Sequence, residues 1–238
     1  MPSPFYGREL AAIHQKKYEH ISVRRAAALL ALLRRNGVRR GTVVDLACGP
    51  GGWARELTRH NYHAVGVDIS RAMIALARRR APRARFICGS MKTTALPPCD
   101  AVTALGEGFN YLMGPREVRG MFRRVHRALR DGGLLVFDTA EPLGTRRVSR
   151  EIVIRAAKVR VNVAVREDAL RRSMVRRMVI LSQARRRARR SMEVHRQRTY
   201  RGGELARWLQ RAGFRARVLR GPRFALSHRH ALLVARKR

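Results

Sequence analysis

The chain holds 238 residues, 45% of them hydrophobic, enough for one sizeable α/β domain with an insertion. Its charge is extreme, 53 Lys and Arg against 16 Asp and Glu for a formal +37, which points either to contact with a polyanion or to the Arg- and Ala-rich usage of G+C-rich coding. No apolar run reaches the ~18 residues of a membrane-spanning helix, the first ten residues lack the apolar core of a signal peptide, and the three cysteines form neither a disulfide framework nor a zinc spacing; a reducing cytoplasm is the expected compartment, with no membrane partner and no metal.

Residues 5–20, FYGRELAAIHQKKYEH, read as a helix running into a second one at 23–35, with Ser22 as its N-cap. Leu29, Leu30, Leu32 and Leu33 supply its apolar face, and Asn36-Gly37 stops it. Tyr6, His14 and Tyr18 either pack this helix or cover a ligand. Thr42-Val43-Val44 has the composition of a strand buried on both faces, closed by Asp45. Cys48-Gly49-Pro50-Gly51-Gly52 then makes a glycine-rich turn, and 53–60 reads as the helix leaving it. Strand, turn and helix start form a site for a nucleotide-like ligand, because small residues admit backbone approach and helix-start amides donate. Gly49-x-Gly51-x-x-Ala54 fits a dinucleotide fingerprint. Yet four residues, beginning with Asp45, stand between strand and first glycine. An acid there repels a pyrophosphate and suits a ligand carrying positive charge.

A second strand, 63–67, ends in Asp68, 17 residues beyond Gly51; that is near the ~20 expected of an acid accepting from ribose hydroxyls. Ser70 caps the helix 70–80. The third strand, 83–88, is followed by Gly89-Ser90-Met91, and the fourth, 99–105, by Gly106-Glu107-Gly108-Phe109-Asn110-Tyr111. The C-terminal end of a central strand is where open α/β sheets build sites, so Glu107, Asn110 and Tyr111 are placed to face an acceptor. An amphipathic helix, 115–130, leads through Asp131-Gly132-Gly133 into a fifth strand, 134–138. This βαβαβ pattern with short joints argues a parallel, right-handed, doubly wound sheet. Residues 145–200 alternate instead, as in Ile152, Ile154, Val159, Val161 and Val163, and read as antiparallel strands. Their basic run, 185–190, is expected at a solvated hairpin tip or as a lid over an anionic substrate. A helix at 202–212 and strands at 214–219 and 230–235 close the chain. Four segments result: 1–40 a helical cover, 41–144 the ligand-binding core, 145–200 the antiparallel insertion over the acceptor, and 201–238 the completion of the core sheet.

The motifs DLACGPG (45–51), VGVDIS (65–70), CDAVTALGEGFNYL (99–112), LRDGGLLVFD (129–138) and TYRGGELARWLQRAGF (199–214) together resemble class I S-adenosylmethionine (SAM) methyltransferases of the small-molecule type. IHQKKY (13–18) resembles the N-terminal cover of some members. The resemblance implies a Rossmann-like seven-stranded sheet with the last strand antiparallel, SAM as donor and S-adenosylhomocysteine as product. By it Asp45, Ala47, Gly49 and Gly51 cradle the amino-acid part of SAM, and Asp68 and Ile69 the ribose and adenine. Ser90 and Met91 take the adenine, with Ser90 where the family usually has an acid; Leu105 and Gly106 take the sulfonium side, and Tyr18 and Met73 complete the pocket. The transfer itself needs an acceptor aligned ~3–3.5 Å from the methyl carbon and a base only if the acceptor is protonated. His14, Glu107, Tyr111 and His195 are the candidates. No metal-binding helix motif or nucleophile elbow is present, so metal and covalent routes have no support. The expectation is methyl transfer to a small molecule, anionic if the basic segment roofs it. The alternatives are an RNA- or DNA-directed methyltransferase and a non-catalytic SAM-binding protein. Nucleic-acid contact is expected to be non-specific, and monomer and homodimer both stay open.

Overall fold

The computed structural model describes residues 5–144, 147–156, 159–184, 187–221, 224, 227 and 229–238, apart from the side chains of residues 15–24, 184 and 187. The chain opens with one continuous helix, α1 (Arg8–Arg35), where two were expected; Ser22 lies inside it and caps nothing. No Gly or Pro interrupts these residues, and Ile21-Ser22-Val23 costs only a few tenths of a kcal/mol per residue in helix propensity. The helix ends as expected at Asn36, whose amide reaches the Leu32 and Leu33 carbonyls, and Gly37, at φ 85°.

Five strands and three helices then alternate: β1 (Gly41–Leu46), α2 (Gly52–Arg59), β2 (Tyr62–Asp68), α3 (Arg71–Arg80), β3 (Arg85–Cys88), β4 (Cys99–Ala104), α4 (Pro115–Ala128) and β5 (Leu129–Ala140). After them come β6 (Arg147–Ala156), β7 (Val159–Asp168), β8 (Ser173–Ala184), β9 (Arg187–Arg198), α5 (Gly202–Arg211), β10 (Phe214–Leu219) and β11 (His230–Lys237). Ser70 caps α3 by accepting the Met73 amide at 3.1 Å.

The core is a seven-stranded sheet in the order β10-β11-β5-β4-β1-β2-β3. β1 to β5 pair in parallel, and β11 runs antiparallel between β5 and β10. The expected doubly wound sheet with an antiparallel last strand is therefore present. One boundary moves: α4 stops at Ala128, and β5 begins at Leu129, ahead of the glycines. The expected turn Asp131-Gly132-Gly133 is instead a bulge, across which Cys99 pairs with Leu129 but Ala101 with Leu134. The sheet is covered on both faces, by α1, α2 and α3 around Leu33, Trp53, Leu57 and Ile74, and by α4 and α5 around Phe109, Phe122, Leu205 and Leu209.

β6 to β9 form a separate antiparallel meander. Val161, Val163, Val165, Met178 and Ile180 on its inner face pack against Leu10 and Ile13 at the start of α1. α1 thus serves both layers, its leucine-rich end on the core sheet and its first turns on the meander. In the basic run, 185 and 186 fall outside the described residues, while Arg189 and Arg190 are exposed on β9.

Candidate active site

Strand order reverses between β1 and β4, and the crevice opens at the C-terminal ends of these strands. The meander roofs it. The enclosed space is about 850 Å³, in the upper part of the ~300–1,000 Å³ range of small-molecule sites.

Asp45, at the end of β1, is 3% exposed. Its Oδ1 accepts the Thr103 hydroxyl at 2.7 Å, and Thr103 accepts the Trp53 indole N–H at 3.2 Å. Burial raises its pKa to about 7; the Thr103 bond offsets part of this, and the neighbouring carboxylates of Asp68 and Asp138 add to it. Asp68, at the end of β2, accepts the Gly49 amide at 2.9 Å and the Ser70 amide at 2.8 Å. Burial raises its pKa too, against the pull of those two amides. Among the described residues neither acid has a salt bridge, in a chain where basic side chains outnumber acidic ones threefold, 53 to 16.

The turn between them is laced internally. The Cys48 amide bonds the Val67 carbonyl, Gly49 bonds Asp68, and Gly51 bonds the Cys48 carbonyl. Three of the amides expected to serve a phosphate are therefore spent, and a carboxylate lies against them. That geometry disfavours the dinucleotide reading. Gly51 itself does not line the cavity. At φ 75° it starts α2, and a Cβ there would sit 2.9 Å from the Ala77 Cβ, so it serves helix packing.

Ala47, Gly49, Ile69, Met73, Ser90, Met91, Leu105 and Gly106 all line the cavity with the two acids. Ser90 Oγ accepts the Lys92 amide at 3.2 Å, shaping its own turn. The side chain of Tyr18 lies outside the described residues. Asp138, at the end of β5, went unassigned from sequence. It receives the amides of Gly106 and Glu107 at 2.9 and 2.8 Å and Arg25 Nη1 at 3.1 Å, and so fixes the loop after β4. The available signal was positional: β1, β2 and β5 each carry an aspartate at or near the crevice end.

The four catalytic candidates share the cavity but differ in chemistry. Glu107, at φ 64°, accepts Arg176 Nη2 at 2.5 Å and His230 Nε2 at 2.9 Å. Burial alone would raise its pKa, but His230 and Arg176 hold it down at about 2. That corrects the expectation of a base: Glu107 is an anchor tying the floor to the roof. Burial lowers His14 to about 4, with His195 and Arg176 adding to the effect, so it is neutral and too weakly basic to hold a proton at pH 7. Tyr111 differs. Its hydroxyl meets His195 Nδ1 at 2.8 Å, and His195 Nε2 meets Glu193 Oε2 at 2.9 Å. Glu193 accepts the backbone amides of Tyr6 and Gly7 at 2.7 and 2.8 Å. A carboxylate behind Nε2 requires the proton there, leaving Nδ1 to accept from Tyr111. The Phe5 ring stacks on His195, centroids 4.5 Å apart. Burial raises the Tyr111 phenol, keeping it a neutral donor. Glu193 was not singled out from sequence, since its partners lie up to 187 positions away.

A family model described as a methyltransferase domain matches residues 43–133. The chain is 31% identical over 142 residues to dTDP-3-amino-3,6-dideoxy-alpha-D-glucopyranose N,N-dimethyltransferase of Streptomyces fradiae, covering 58% of this chain and 55% of that protein. It is 31% identical over 161 residues to trans-aconitate 2-methyltransferase of Delftia acidovorans, covering 62% and 59%. The chain spans about half the length of the curated relatives it matches. The sugar N-methyltransferase KedS8 from Streptoalloteichus superposes with a TM-score of 0.82 at 22% identity, over 100% of this chain and 98% of that one. Residues 43–133 thus match a methyltransferase domain, and the chain as a whole has the fold of the SAM-dependent methyltransferases.

Proposed function

We propose that this protein transfers a methyl group from SAM to a small-molecule acceptor held under the β6–β9 meander. The observation that carries the reading is the pair of buried carboxylates, Asp45 and Asp68, left without an arginine partner among the described residues of a strongly basic chain. Negative potential kept free in a buried crevice fits a cationic ligand. SAM, when bound, supplies the methyl on a sulfonium. Asp68 has lone pairs left over from Gly49 and Ser70 to accept ribose hydroxyls. Asp45 and the turn 47–49 sit where its charged amino-acid end would lie, and Ile69, Met73, Ser90 and Met91 would enclose the adenine.

For an acceptor carrying N–H or O–H, Tyr111 orients the nucleophile, and the proton passes from acceptor to the Tyr111 oxygen as the Tyr111 proton moves to His195 Nδ1. Glu193 steadies the resulting imidazolium. The roof favours a small molecule over nucleic acid, since a duplex base would have to leave its stack to enter. Relatives named for sugar and small-acid acceptors agree with this. Cysteines that are all free among the described residues fit a reducing cytoplasm.

Calorimetry with SAM tests the reading. The native chain should bind it at a single site, and Asp68→Ala should weaken binding at least about tenfold through loss of charged hydrogen bonds. Equal affinity for both would remove the assignment.

A further inference from the structure

We infer that the acceptor is amphipathic, with its nucleophile at one end, a hydrocarbon or aromatic middle, and an anionic group at the other. The inference rests on the methyl-transfer reading and names its substrate class. Register places Arg150, Val165, Arg176 and His195 in one row across the meander, each lining the cavity. Strands lie about 4.8 Å apart, so the row spans about 14 Å of roof. At one end stand His195 and Tyr111, where the acceptor reacts. At the other stands Arg150, with no carboxylate in salt-bridge range among the described residues. Arg176, between them, is spent on Glu107.

The adjoining row supplies Ile152, Val163 and Met178 to the same cavity. These side chains and Val165 offer no polar partner, so hydroxyls laid against them would lose water without replacement, whereas hydrocarbon would gain. Ile152 is 38% exposed at this wall, apolar surface that a ligand's middle would cover. The roof is therefore a ruler: reacting group, apolar strip, guanidinium.

The test titrates octyl phosphate, butyl phosphate and inorganic phosphate into the chain saturated with S-adenosylhomocysteine. Affinity should rise about fourfold per methylene from butyl to octyl. Arg150→Gln should lose about tenfold for octyl phosphate. Arg166→Gln, removing an exposed guanidinium from the opposite face of the same meander, should lose nothing. Binding independent of chain length, or equal losses in the two variants, would overturn the inference and show only general attraction to a basic surface. S-adenosylhomocysteine binding, measured first and alone, reports separately on the methyl-transfer reading. If it fails, the alkyl phosphate series still decides the shape of the roof on the unliganded chain.

Discussion

Among the described residues Asp45 and Asp68 are held by neutral donors, one by a threonine hydroxyl and the other by two backbone amides. Because Asp45 titrates near 7 rather than 3.8, a rise through neutral pH turns it from acid to carboxylate. Affinity for a cationic donor should therefore increase from about pH 6 to about pH 8, and Asp45→Asn should flatten the curve. The same shift has the opposite sign for the empty protein. The folded state holds a proton that the unfolded chain releases, so this stabilisation is full below 3.8 and is lost as pH climbs through about 7. Urea melts of native and Asp45→Asn protein at pH 5 and pH 8 measure it as the difference in slope. Tyr111 gives a separate expectation. Tyr111→Phe removes the hydroxyl that meets His195 and, on the proposed reading, should lower kcat by about a hundredfold while donor affinity stays put. His195→Gln should give the same loss, because it removes the acceptor of the Tyr111 proton; a fall in donor affinity instead would mark a packing role.

At the scale of elements, Gly66 shows how tightly the crevice floor is built. A Cβ there would lie 2.6 Å from the Phe86 ring and 2.8 Å from Cys48 Sγ, between two strands and the glycine turn. Gly66→Ala should cost about 1–3 kcal/mol, seen as a lowered melting temperature, and should loosen donor binding because Cys48 carries the turn. Much of this layer was legible beforehand. The strands, the cap at Ser70, the turn and the alternation in the meander are local signals, written within a few residues of the structure they make. Other parts were not local. The fused α1 depends on packing along two layers, which overrides the weak propensity of Ile21-Ser22-Val23. The bulge at Asp131-Gly132-Gly133 depends on the register of β4, a separate stretch of chain. Glu193 gains its role from a segment that the fold brings to it, and no spacing in the sequence records that; Asp138 left only the positional signal of an acid near a strand end. Glu107 was misread for the same reason, since Arg176 and His230 arrive from 69 and 123 positions away.

For the whole molecule, exposed arginines such as Arg166, Arg189 and Arg190 spread positive charge over the surface, while Asp45 and Asp68 in the crevice have no salt bridge among the described residues. RNA should therefore bind through counterion release alone, with affinity falling by about three or more powers of ten between 50 and 200 mM salt and no methyl incorporated. Retention of tight binding at the higher salt, or methylated RNA, would speak for a nucleic-acid substrate. Tyr6 joins the two regions of the fold by its backbone. Its amide is held by Glu193 of the meander at 2.7 Å, and its carbonyl by the Ser70 hydroxyl beside Asp68 at 2.8 Å. A single residue thus acts as hasp for both leaves of a door. Loss of the Ser70 bond would therefore also slacken, through Tyr6 and Glu193, the support of the His195 imidazole.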